Sequence, residues 1–169
     1  MGDGSATMRA FYLTLCCLFL GFGPTLIAEE TRIAELDQFW AKVSKAVNEG
    51  DFESYRETCH EEAVLVTGVK KTSYPLAQAL SRWKTEFDDT KAGKMDASVT
   101  FRFSHRYGDE TTAHEAGMFL YSSQMEGGEK SEEYIHFEGL LVKKDGRWLM
   151  LMEYQKSVGT KAEWDALKP

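Results

Sequence analysis

The chain has 169 residues, 28% of them charged, and a formal net charge of -7 at pH 7. That length carries one domain with a real core and is short for two. The acidic balance argues against nucleic acid as a partner, because phosphate neutralisation needs clustered Lys and Arg, and the only basic doublets, Lys70-Lys71 and Lys143-Lys144, read as solvated turn residues.

The first stretch differs from the rest. After Arg9 runs "AFYLTLCCLFLGFGPTLIAEE", an apolar segment broken by Gly and Pro and ending at Ala28 before two acids. A basic start, an apolar centre and a small residue at the cut describe a secretory signal peptide over residues 1–28. The competing readings are an uncleaved membrane anchor, since the run is barely long enough to span a bilayer, and a lipoprotein, for which "LTLC" is a poor signal because Cys16 falls inside the apolar run. The expectation is a secreted or periplasmic protein with no membrane attachment once the leader is removed. Cleavage would take Cys16 and Cys17 and leave Cys59 alone, so the mature chain would have no internal disulfide. Neighbours on a strand face opposite ways, so Cys59 beside His60 is expected to be a small buried hydrophobe rather than half of a reactive pair.

A domain over 29–156 follows, with a tail over 157–169. Ile33, Leu36, Trp40, Val43 and Val47 recur at helical spacing and predict a helix over 31–48. Gly50 suits its left-handed end, and Asp51 can cap a second helix over 52–58. "AVLVTG" predicts a short strand. "SYPLAQALSRWKTEF" predicts a third helix, with Pro75 in its first turn and Leu76, Leu80, Trp83 and Phe87 on one face.

Beyond Met95 the period changes to two, with Val99, Phe101, Phe103, His105 and Tyr107 alternating with polar residues. Strands are predicted from Met95 to a turn at "GDET", then over 112–125, 132–143 and 147–156. The tail's Trp164 is placed on a short helix that docks back. Helices first and long strands after them predict an α+β fold with three N-terminal helices on one face of an antiparallel sheet.

Asp145-Gly146 between two apolar runs is a hairpin signal, and a two-residue turn sets the register. Counting outward pairs Lys144 with Arg147, Val142 with Leu149, Leu140 with Leu151, Glu138 with Glu153 and His136 with Gln155. One face would then carry these residues, and the other Phe137, Leu141, Trp148, Met150, Met152 and Tyr154. A directly opposed Glu138 and Glu153 would repel each other and share a proton if buried.

"NEGD" after the first helix, "EEAVLV" for the short strand and "KKDGRWLMLMEY" for the last hairpin together resemble the SnoaL-like superfamily. This is the cone-shaped fold also called nuclear transport factor 2-like, and it includes ketosteroid isomerase and many secreted domains of unknown function. The resemblance covers residues 31–156 and implies helices closing a concave sheet into a pocket, with the convex face pairing two subunits. It implies that the Leu149 and Leu151 face lies under the helices. Without gaps, Glu138 falls at that isomerase's oxyanion-hole aspartate, with Leu140, Leu151, Glu153 and Gln155 on its pocket wall. Val43 falls at its oxyanion tyrosine and Thr67 at its catalytic base, so steroid isomerisation does not carry over.

The remaining candidates are modest. His60, His105, His114 and His136 have no metal-ligand spacing; a four-residue "GDET" loop would set His105 opposite His114, a two-residue loop would leave them diagonal and a three-residue loop would separate their faces. Tyr55 and Trp83 are candidates for a pocket mouth. No metal or cofactor is expected. Two function classes remain. One is a domain binding a small apolar or amphipathic molecule, homodimeric through Phe137, Leu141, Trp148, Met150 and Met152. The other is an isomerase-, cyclase- or hydratase-type enzyme using Glu138, Glu153 and His136 as acid and base.

Overall fold

The computed structural model describes residues 24–167; the expected leader lies for the most part outside them. In chain order the elements are α1 (Pro24–Glu49), α2 (Phe52–Arg56), β1 (Cys59–Thr67), β2 (Thr72–Pro75), α3 (Leu76–Lys91), β3 (Met95–Gly108), β4 (Thr112–Met125), β5 (Ser131–Lys144), β6 (Arg147–Val158) and α4 (Lys161–Ala166). The six strands form one sheet in the order β2-β1-β6-β5-β4-β3. Every neighbouring pair is antiparallel except β1 and β6. The fold is α+β and SnoaL-like, as the turn pattern predicts. The first helix is longer than the period predicts, and β2 is an added edge strand too short to show any alternation.

Local chemistry sets the boundaries. At Gly50, φ is +64° and a Cβ would lie 2.5 Å from the Phe87 carbonyl, so only glycine lets α1 end against α3. Asp51 then accepts the Ser54 amide at 3.1 Å and starts α2. Asp145 and Gly146 both take positive φ, which is the two-residue turn that matches strand twist.

The hairpin leaves that turn in the expected register, with Lys144 opposite Arg147 and Val142 opposite Leu149. The register then slips. Leu141 pairs Met150 and Leu140 pairs Met152, which leaves Leu151 as an extra, bulged residue in β6. Glu138 therefore faces Tyr154, Glu153 lies opposite Gly139 and Phe137 opposite Gln155; a second slip then sets His136 opposite Ser157. The expected Glu138–Glu153 pair does not form. Side-chain parity changes with each inserted residue, so the two acids stand on opposite faces of the sheet.

The covered face is also the reverse of the one expected. Phe137, Leu141, Trp148 and Met150 are buried in the main core with Leu36, Phe39, Trp40 and Val43 of α1. Their face is therefore closed by helices and is not free to pair a second subunit. Trp40 is at the centre, its ring 4.4 Å from Phe101 and 5.6 Å from Phe137. Counting carbon against solvent predicted an apolar face but not which of two apolar faces the helices would take.

Polar anchors fix α1 across the sheet. Glu115, fully buried, accepts the Trp40 indole N–H at 3.0 Å and pairs with Arg106 at 2.8 Å. Arg106 also meets Asp37 at 2.6 Å. Farther along, Glu35 accepts from Lys143 at 2.6 Å and from the Trp148 indole at 2.9 Å. On the outer face, α4 docks through Trp164, whose ring lies 4.4 Å from the Arg102 guanidinium. Its N-terminus is a capping box of Thr160 and Glu163.

Removing Glu115 would leave the Arg106 guanidinium and the Trp40 N–H short of a partner in the core. Glu115→Ala is expected to lower stability by about 3–5 kcal/mol, read from urea melts. A loss below ~1 kcal/mol would show that the network contributes nothing beyond packing.

Candidate functional site

The helices do not fill the concave side completely. A cavity of about 310 Å³ remains between α1, α2, α3 and the sheet. Its floor is aromatic and comes from the period-two pattern of the strands: Phe101, Phe119 and Phe137, with Trp40 above them. Tyr55 and Trp83 form the helical wall at a ring separation of 6.3 Å. Thr58, Cys59, Glu153 and Gln155 line the β1–β6 side, and Glu86, Thr90, Tyr121 and Glu133 stand toward solvent.

Of the sequence candidates, the cavity brings together Tyr55, Trp83, Glu153 and Gln155. It does not contain Glu138, His136, Leu140 or Leu151. Those four are displaced by the parity of the strands: on β5 the residues turned inward are Phe137 and Gly139, and Leu151 is the bulge itself. Val43, at the position of the isomerase tyrosine, does line the cavity, whereas Thr67 is buried outside its lining. Glu86 and Glu133 had no sequence signal, since each reads as an ordinary surface acid.

Glu153 is the most unusual group. Its one hydrogen bond among the described residues comes from the Gln155 side-chain amide, at 2.7 Å. Burial raises its proton affinity above the ordinary glutamate value, an effect that the Gln155 bond opposes. Tyr55 is raised well above the usual tyrosine range, first by burial and then by the nearby Glu153 charge. Cys59 is pushed up to about 12 by burial, against a lowering contact from Thr58. Its thiolate is scarce at neutral pH, which fits an inert wall residue.

Glu138 belongs to a different setting. With His105, Tyr107, His114, His136 and Lys156 it lines an outer groove of about 380 Å³. Lys156 lies 2.6 Å and His114 3.1 Å from its carboxylate. The Lys156 bond holds its pKa below the usual value, with His114 adding to the effect. His105 and His114 share this face but are offset, because His105 pairs Ala116 and His114 pairs Tyr107. His136 turns to Glu163 of α4 at 3.4 Å. No group of three or more His, Cys, Asp or Glu suited to a metal ion occurs among the described residues.

The two acids therefore act in separate pH windows. A raised folded-state pKa at Glu153 means that the native state binds more protons above pH 4.5, so this residue's contribution falls as pH rises through its raised value. A lowered one at Glu138 acts below 4.5, where stability is lost as pH falls. Glu153→Gln keeps the shape and removes the half-buried charge. Urea melts from pH 4 to 8 are expected to show the variant gaining on the wild type as pH rises, by about 1.4 kcal/mol per tenfold difference in proton affinity. Parallel pH profiles would place the Glu153 carboxylate in contact with bulk water.

Comparisons with known proteins agree with this architecture. A family model described as the calcium/calmodulin dependent protein kinase II association domain matches residues 30–159. Among solved structures, a conserved protein from Planctomyces limnophilus superposes with a TM-score of 0.63 at 11% identity, covering 74% of this chain and 94% of that one. A protein of unknown function from Mycobacterium tuberculosis gives a TM-score of 0.62 at 14% identity, with coverage of 82% and 78%. An NTF-2 like protein of unknown function from Shewanella oneidensis gives 0.57 at 16% identity, with coverage of 73% and 97%. The search of curated proteins finds no match.

Proposed function

Since the chain belongs to the calcium/calmodulin dependent protein kinase II association domain family, we propose that it is an exported, dimeric domain that binds a small amphipathic molecule in its concave cavity. The cavity carries the reading: about 310 Å³ lined mainly by aromatic side chains, with Glu153 and Gln155 as convergent polar groups. Ligand pockets span ~300–1,000 Å³ and have this mixture of apolar walls and few polar anchors. A family name alone supplies no ligand, because one fold hosts many activities.

A second reading has one specific support. A carboxylate with raised proton affinity inside an apolar cavity is suited to general acid–base work. Glu138 and His136, on the other face, have no part in it. Glu153 would act alone beside Tyr55, as a base for proton transfer within a bound substrate.

The binding reading is checked with an uncharged reporter. Nile red is expected to enter the cavity with micromolar affinity, about -8 kcal/mol at 1 μM, with an emission rise. Val99→Trp, which fills the cavity from β3, is expected to abolish the rise while keeping the far-UV circular dichroism. Unchanged binding by the variant would move the ligand elsewhere.

Export rests on the leader, and pairing on the outer face of β1, β5 and β6. There Val64, Val66, Leu140, Leu149, Met152 and Tyr154 are only half-buried, a patch larger than isolated surface residues would make. Native protein from a secreting host is expected to begin near Glu29 and to have twice the monomer mass by light scattering. Met152→Glu should halve that mass. An intact leader, or a monomeric wild type, would remove the corresponding part of the proposal.

A further inference from the structure

The cavity's charges are one-sided. Glu86, Glu133 and Glu153 line it, and no Lys, Arg or His does. Its hydrogen-bonding capacity is one-sided too, because most donors on its walls are already committed. The Trp40 N–H goes to Glu115 at 3.0 Å, and the Thr58 and Thr90 hydroxyls go to the Tyr55 and Glu86 carbonyls at 2.6 and 2.8 Å. The Tyr121 hydroxyl goes to Glu86 at 3.0 Å, and the Gln155 amide nitrogen goes to Glu153 at 2.7 Å. Among the described residues this leaves the Tyr55 hydroxyl, the Trp83 indole N–H and the second Gln155 amide N–H as spare donors. The carboxylates and the Gln155 amide oxygen supply acceptors.

We infer that the ligand is an organic cation, an ammonium on a small apolar body, with its charge against Glu153 and its body among the aromatic rings. The inference rests on the small-molecule reading above and names the ligand's class. Three physical arguments converge on it. A carboxylate in an apolar site needs a counter-charge, and no described residue lining the cavity provides one. Aromatic faces are negative at the centre and attract cations, most strongly when water is excluded. An anion would meet three carboxylates, and a neutral apolar ligand would leave Glu153 uncompensated.

The arrangement divides the work between depth and mouth. Glu86 and Glu133 are exposed and screened by salt, so they bias which ligands approach. Glu153 is held inside, where a paired charge counts for more. The titratable groups around it are Tyr55 on α2, Cys59 on β1, Glu86 on α3, Tyr121 on β4 and Glu133 on β5. None is cationic, so no residue of the cavity wall competes with the ligand for the acid.

The test uses three probes of similar shape: 2-phenylethylamine as cation, 2-phenylethanol as neutral control and 3-phenylpropionate as anion, with affinities from ligand-observed NMR on the mature chain at pH 7.5. The amine is expected to bind at least about tenfold more tightly than the alcohol, the factor of one charge-assisted contact, and the propionate not detectably. Glu153→Gln should bring the amine to the alcohol's affinity and leave the alcohol within about twofold, whereas Glu86→Gln with Glu133→Gln should only weaken the amine by a few-fold. Equal binding of amine and alcohol to the wild type would overturn the inference and leave the binding reading standing. A preference for the amine that survives Glu153→Gln would overturn it as well. If none of the probes bound while Nile red did, the cation would be wrong; if Nile red also failed, both readings would fall.

Discussion

The extra residue at Leu151 lets β6 present Trp148 and Met150, and then Glu153 and Gln155, to the same side of the sheet. Strict alternation from Met150 would also have sent Met152 and Tyr154 inward, closing the concave side with apolar side chains and turning Glu153 to solvent. The bulge divides the strand by function. Near the turn, β6 packs under α1 and contributes to the core; beyond the bulge it forms a polar wall. The tight register of an Asp-Gly turn would otherwise carry one parity along the whole hairpin. An irregularity of this kind in a ladder is a structural device.

The cavity stays open because other contacts hold α1 in place. Trp40 and Phe39 reach the sheet, but the helix is also tied at two points by buried or half-buried acids, Glu115 with Arg106 and Glu35 with Lys143. Each of those acids has a cation within 3 Å and an indole N–H besides. Glu153 differs in kind. It has one amide partner and, among the described residues, no cation, although it stands on the same sheet as Glu115, two strands across through Gly139. Among the described residues, the acids that hold elements together are paired with cations, and the acid at the cavity has an amide partner only.

Much of the fold was legible in the sequence, because the cues were local. Gly50 and Asp51 marked a helix boundary, Asp145-Gly146 marked the hairpin, and Val99 to Phe103 showed the strand period, which a bulge at Ser104 breaks before His105 and Tyr107. The site was less legible, and the reason is physical. β5 and β6 are apolar on both faces near the turn, since one side meets α1 and the other carries Leu140, Leu149 and Met152, so hydrophobicity could not orient the strands. A bulge has no reliable residue signature when, as at Leu151, the inserted residue is an ordinary strand former. One unseen insertion moved Glu153 into the cavity and left Glu138 outside. Trp83 lies on the cavity wall because helix α3 has a clear apolar face that no bulge can change, and Tyr55 lies there because the short α2 packs against α3.

The acid without a cation also bears on the proposed ligand. Burying a carboxylate without a counter-charge disfavours its ionised form, and that free energy is a debt of the unliganded state alone. A ligand that supplies the missing charge gains affinity by the same amount, because binding and ionisation are linked through one cycle. On the proposed reading, the free energy given up by burying the Glu153 charge is what a cationic ligand would recover, whereas Gln at this position would offer a ligand nothing to neutralise. The outer groove shows the opposite case: Glu138 is already matched by Lys156 and His114, and a cation arriving there would have to displace one of them.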